Sequence, residues 1–249
     1  MFLEKWYGDF VKSGRPEIRY LANLRFGPMT VGYRGKLGTS HSSVMNFGFC
    51  GFELPSVRGE NLYWPTTADD IDLVWTGVQS RPQILWQQGR RVIIWEPLVL
   101  NGMVLSEGVG SGLYGYVERL TLNFAPWHLG LKTLKWGRFC GKRHSLVWIE
   151  WLGRIPKRLA LLNGSPVVSL TVEQRAVKTE SASLSFGIPY EIINEPLHLG
   201  ALSQLSWMRF FDRLRFLSGL ETKWITDGSL EVDGTQDYGS VIYEEVNWP

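Results

Sequence analysis

The chain has 249 residues, of which 44% are hydrophobic and 20% charged, a composition that excludes a disordered or low-complexity protein. Its 26 basic and 24 acidic residues are scattered and leave a net charge of +2, so no basic block is present to bind nucleic acid. No apolar run reaches the roughly 18 residues of a membrane-spanning helix, and Glu4, Lys5 and Asp9 interrupt the N-terminus where a signal peptide would be apolar; a cytoplasmic protein is expected.

The elements then follow in chain order. In EIRYLANLRF (17–26), Ile18, Tyr20, Ala22, Leu24 and Phe26 alternate with a more polar set, the period of a half-buried strand. Gly27-Pro28 turns it and MTVGYRGKL returns, which predicts a hairpin. IDLVWTGVQ (71–79), QILWQQ (83–88) and RRVIIWEPL (90–98) read as further strands, with a tight connection at Gly89. YGYVERLTLNF, LKTLKWGRF, SLVWIEW, KRLALLNG, PVVSLTVEQRAV and GSVIYEEVNW continue the series. Apolar residues at 202, 205, 208, 211, 214 and 217 predict one short helix near 199–218. APWHLG (125–130) interrupts the strands at mid-chain, so the expected division is 1–125 and 126–249. No internal repeat is obvious by eye. The fold class is therefore all-β, with antiparallel barrels or sandwiches rather than βαβ units.

Chemistry-bearing motifs are few. Cys50 and Cys140, 90 residues apart, read as two reduced packing thiols, and the four histidines lack metal-ligand spacing. No phosphate-cradling glycine motif or nucleophile elbow occurs, so neither a cofactor nor a metal is expected. Aromatics are abundant, with 12 tryptophans, 9 tyrosines and 12 phenylalanines. They suit sheet faces and the walls of apolar cavities alike.

Three charges break the apolar alternation. Glu118 shares a face with Tyr116 and Leu120, Arg138 with Leu134 and Trp136, and Glu150 with Leu146 and Trp148. Under one reading Glu118 or Glu150 satisfies Arg138 as a buried pair. Under the other, one carboxylate pairs with Arg138 while the second lines a cavity as proton donor or orienting acceptor, its pKa raised by an apolar site.

GYVERL followed by LKWGRF and LVWIEW resembles the motif series of the carotenoid 1,2-hydratase (hydroxyneurosporene synthase) and tocopherol cyclase-like proteins. The opening KWYGDF and closing YGSVIYEEVNWP are similar to the edges of that family. The resemblance implies two consecutive lipocalin-like β-barrel domains around a large apolar ligand, such as an isoprenoid, polyene or polyketide. It also implies cofactor-free chemistry, either a proton-initiated addition or cyclisation or a pericyclic reaction. The family's tyrosine–acid stretch falls on Tyr116 and Glu118, its tryptophan–arginine element on Trp136 and Arg138, and its later acid near Glu150. The family's hydratases carry aspartate then histidine where this chain has Glu118 and Arg119.

The expected site thus has Glu118, Glu150 and Arg138 as catalytic residues and Tyr116, Trp136, Trp148 and Trp127 as ligand-binding residues. The partner is a hydrophobic small molecule, and the competing reading is a carrier without turnover.

Overall fold

A computed structural model of the chain describes residues 1–12, 14–38, 42–65, 72–105, 113–197 and 218–249. The chain divides into two compact units, Met1–Pro126 and Trp127–Pro249. Every sheet pairing among the described residues is antiparallel. The helix predicted near 199–218 falls, but for its last residue, outside the described residues.

The first unit contains β1 (Phe2–Lys12), β2 (Arg15–Phe26), β3 (Met29–Leu37), β4 (Ser42–Gly48), β5 (Ser56–Arg58), β6 (Asn61–Trp64), β7 (Leu73–Thr76), β8 (Gln83–Gln88), β9 (Arg91–Leu105) and β10 (Tyr114–Leu122). The second contains β11 (Leu131–Gly141), β12 (Ser145–Gly153), β13 (Lys157–Leu162), β14 (Ser165–Val167), β15 (Thr171–Val172), β16 (Ala176–Lys178), β17 (Ala182–Phe186), β18 (Tyr190–Pro196), β19 (Leu220–Val232) and β20 (Thr235–Asn247). The predicted hairpin is β2–β3, closed with Phe26 opposite Met29 across the Gly27-Pro28 turn. Gly89, at φ 58°, connects β8 to β9.

One topology occurs twice. The first sheet runs β4-β3-β2-β1-β10-β9-β7-β6-β5 with β8 also on β9; the second runs β14-β13-β12-β11-β20-β19-β17-β16-β15 with β18 also on β19. Adding ten to each strand number converts one path into the other. The registers agree: Gly115 opposes Gly102 in the first unit, and Gly239 opposes Gly228 in the second. A Cβ on Gly115 would strike the Asp9 carbonyl oxygen, and one on Gly239 would strike the Cys140 carbonyl oxygen. Each copy therefore needs glycine at that point to let its first strand approach its last. Tyr114-Gly115-Tyr116-Val117 and Tyr238-Gly239-Ser240-Val241 carry the repeat in sequence.

Residues directly opposite in an antiparallel pair share a face. In the first unit Trp6 and Phe10 of β1, Leu21 of β2 and Val117 of β10 join Trp64, Trp75, Leu98 and Val99 in a buried core. In the second, Phe139, Leu146, Trp148, Ala160, Leu184, Leu230 and Val241 form the corresponding core. Cys140 is buried and Cys50 exposed, so only the first of the two thiols contributes to packing.

Candidate functional site

The second unit contains a cavity of about 280 Å³ on the core face of its sheet. Four aromatic rings form a continuous wall. Trp148 of β12 stacks on Phe186 of β17 (centroids 5.9 Å apart, planes 24°), and Phe186 meets Tyr243 of β20 at 5.0 Å. Tyr243 in turn stacks on Trp224 of β19 at 4.9 Å and 22°. The strands dictate this ladder. Tyr243 opposes both Gly137 and Trp224, and Gly137 opposes Trp148, so these side chains share one face and the glycine leaves a gap. A Cβ at Gly137 would strike the six-membered ring of Trp148, which lies across it.

Charged groups border the opening. Lys135, Glu173, Arg175 and Glu245 line it, as does Glu244, whose register places it on the opposite face of the sheet. Glu173 is paired with Lys178 at 3.0 Å, Glu244 with Lys223, and Glu245 accepts a hydrogen bond from Asn247 at 2.9 Å. Burial raises the Tyr243 phenol above its ordinary value; Arg175 pulls it back and Glu245 pushes it up. Tyr243 is therefore a neutral hydrogen-bond donor throughout the physiological range.

The residues singled out in the sequence are distributed over both units. Trp148 forms the cavity wall. Glu150 lies two residues further along β12 on the same face, opposite Lys135, and accepts a 2.5 Å bond from Arg158 Nε. Trp136 borders the cavity, but its register sets its side chain on the reverse face, where Lys223 Nζ lies 5.7 Å from its ring. Arg138, also on the reverse face and 1% exposed, donates from Nη1 to the Ser240 carbonyl at 2.9 Å and to Ser240 Oγ at 2.8 Å. Arg138 and Glu150 thus occupy opposite faces of one sheet. Trp127 is in the short 3-10 helix Pro126–Leu129.

Glu118 and Tyr116 belong to the first unit. Glu118 Oε2 accepts two bonds, from Trp95 Nε1 at 2.5 Å and from the Tyr116 hydroxyl at 2.7 Å. Tyr7 lies opposite Glu118 and meets Tyr20 edge-on at 5.4 Å and Tyr116 at 6.2 Å. A carboxylate interrupts this aromatic face because the face itself carries two donors that need an acceptor.

Sequence reading missed Phe186, Trp224, Tyr243 and Arg175. Tyr243 lies in the predicted strand GSVIYEEVNW, but Trp224 stands between Thr222 and Thr226 in a segment not read as a strand, and their stacking depends on the β19–β20 register. Arg175 lies in the turn between β15 and β16, where no periodicity marks it. Among the described residues, no group of three or more His, Cys, Asp or Glu is placed to hold a metal ion, and no helix is long and apolar enough to cross a membrane.

This two-unit, all-β architecture is a lipocalin-like fold. No family model and no curated protein matches the sequence. Among solved structures, the chain is similar to kievitone hydratase from Nectria haematococca, with 11% identity over 98% of this chain and 88% of that one and a TM-score of 0.51. It is similar to CghA, with 8% identity over 99% and 88% and a TM-score of 0.59. A protein described as AttH from Nitrosomonas europaea gives 11% identity over 99% and 93% and a TM-score of 0.52. At these identities the likeness defines the fold alone.

Proposed function

We propose that the chain binds an apolar, flat small molecule in the cup of its second unit and converts it by cofactor-free addition or cyclisation. The observation that carries this reading is the hollow walled by Trp148, Phe186, Tyr243 and Trp224. A core packed to ordinary density has few voids larger than a water molecule. This one has room for roughly nine waters at ~30 Å³ each. Its volume is near the lower end of ligand pockets, about 300–1,000 Å³, which favours a compact ring system over a full-length polyene. The fold shared with kievitone hydratase supports addition chemistry, and the family resemblance of GYVERL, LKWGRF and LVWIEW supports an isoprenoid or polyketide source for the ligand. Glu150, on the face of Trp148 though not among the residues lining the cavity, is the carboxylate proposed for the chemistry in this unit. Glu118, in the first unit, is the other carboxylate the sequence singles out.

The test is a titration of intrinsic tryptophan fluorescence with flat conjugated and isoprenoid compounds. Trp148 and Trp224 line the cavity, so a bound ring system quenches them with saturation at one equivalent. Any ligand found is then incubated with wild type, Glu150→Gln and Glu118→Gln, and products are followed by mass spectrometry. Conversion is lost in one variant that still binds. Absence of saturable quenching with every compound would falsify the cavity reading, and binding without any product would leave a carrier.

A further inference from the structure

The rim of the cavity carries charges of both signs. Glu173 is paired with Lys178, Glu244 shares Lys223 with Glu221, and Glu245, which accepts from the neutral Asn247, keeps its charge directly opposite Lys135 in the β11–β20 register. Lys135 and Arg175 form no ion pair among the described residues. Arg175 is the cation whose charge reaches the Tyr243 phenol, where it is opposed by Glu245. Tyr243, in the aromatic ladder, lines the same cavity. Its hydroxyl makes no hydrogen bond among the described residues, although its ring is held between Phe186 and Trp224. The Arg175 carbonyl oxygen accepts the Phe186 backbone N–H at 2.9 Å, which ties the guanidinium's turn to the strand that carries the wall.

A phenol donor with the Arg175 guanidinium acting on it is complementary to an oxygen that carries, or develops, negative charge. A ladder of near-parallel rings is complementary to a flat π-system. We propose that the cavity's ligand is a conjugated ketone or aldehyde whose carbonyl oxygen accepts the hydrogen bond of Tyr243, with Arg175 and Lys135 stabilising the polarised oxygen. The inference rests on the cup being the ligand site and adds the ligand's chemical class and orientation. Burial keeps Tyr243 protonated, as a donor must be. Polarising the carbonyl withdraws electrons from the conjugated carbons, which is the activation a cofactor-free addition or cyclisation requires. No proton needs to leave the tyrosine for this.

Two probes of similar shape test it: p-dimethylaminobenzylideneacetone, a conjugated ketone whose absorption moves to the red when its oxygen is hydrogen-bonded, and trans-stilbene, which has no oxygen. Wild type is expected to bind both and to shift the ketone's band. Tyr243→Phe is expected to abolish the shift and weaken the ketone about fivefold to tenfold, the effect of one hydrogen bond, while stilbene binding is unchanged. Arg175→Gln, at an exposed side chain, reduces the shift without removing it and serves as the second variant. Equal weakening of both probes by Tyr243→Phe, or a bound ketone with no shift in wild type, overturns the donor assignment and leaves the cavity intact. Failure of both probes to bind overturns the cavity reading itself.

Discussion

Replacing Gly137 with alanine tests the origin of the cavity. The added methyl would collide with three ring atoms of Trp148, Cζ2, Cε2 and Cη2, at less than any ordinary carbon–carbon contact. Trp148 is 1% exposed and stacked on Phe186, so its ring has room to move only toward the hollow. Overpacking of this kind costs about 1–3 kcal/mol. The same displacement narrows the cavity, so probe affinity falls with stability. Urea unfolding followed by fluorescence, with the two units allowed separate transitions, measures the first effect and ligand titration the second. Trp148→Leu alone removes a large buried ring and costs about 2–4 kcal/mol. In that background the alanine has space, and the cycle is expected to show a coupling of at least about 1 kcal/mol. A Gly137→Ala protein within about 0.5 kcal/mol of wild type, or costs that simply add, would refute the argument.

Glu118→Leu removes an acceptor from two donors on buried residues, Trp95 and Tyr116, and is expected to destabilise the first unit by about 1–3 kcal/mol, whereas Glu118→Gln retains one acceptor oxygen and costs less. Identical denaturation midpoints for the two variants would mean that the hydrogen bonds contribute nothing. Asp237 supplies the pH-dependent case. Burial alone would raise its pKa, but the backbone N–H groups of Arg143, His144 and Lys142 outweigh it and hold the carboxyl below its ordinary 3.8. Because the folded value is lower than the unfolded one, its stabilisation is fully present above about pH 4 and is lost as pH falls through the folded value. Asp237→Asn is therefore expected to be less stable than wild type at pH 7, by about 1–3 kcal/mol, with a difference that shrinks in acid. A difference independent of pH would count against this assignment. Arg158→Ala leaves the buried Glu150 without its 2.5 Å partner, yet the arginine side chain is 58% exposed and solvent can replace it. The expected loss in urea stability is about 1 kcal/mol or less, and a loss of several kcal/mol would mean that Glu150 is sealed from water.

Strands were legible where alternation and turn chemistry agreed, as in β2–β3, whose Gly27-Pro28 turn fixes the register. The oddity of Glu118 was legible too, because a carboxylate on an apolar face breaks a period of two. Its acceptor role was not: Trp95 is 23 residues away, and β9 and β10 slip in register between Gly115 and Glu118. Period two separates a strand's faces without saying which is the inside. Trp136 with Arg138 and Trp148 with Glu150 looked equally apolar, and only the pairing of β11, β12 and β20 sets the second couple on the core face with the cavity.

The duplication escaped the sequence for a related reason: its two copies exchange bulk across the same pairs. Trp6 opposite Leu21 in the first unit corresponds by register to Gly137 opposite Trp148 in the second, so the large ring has changed strands. Arg119 opposite Glu96, an ion pair lying over Trp6, corresponds to Tyr243 stacked on Trp224. Trp75, opposite Val104, corresponds to Leu184 opposite Leu230. Each exchange preserves a cross-strand contact, so selection on the sheet alone would not distinguish the copies. In the second unit the exchange leaves space against the rings. A β-cup can be filled by its own side chains or kept open for a guest. In the second unit Gly137 is the position on which the open arrangement turns, because a single methyl there would strike Trp148, whose ring borders the space.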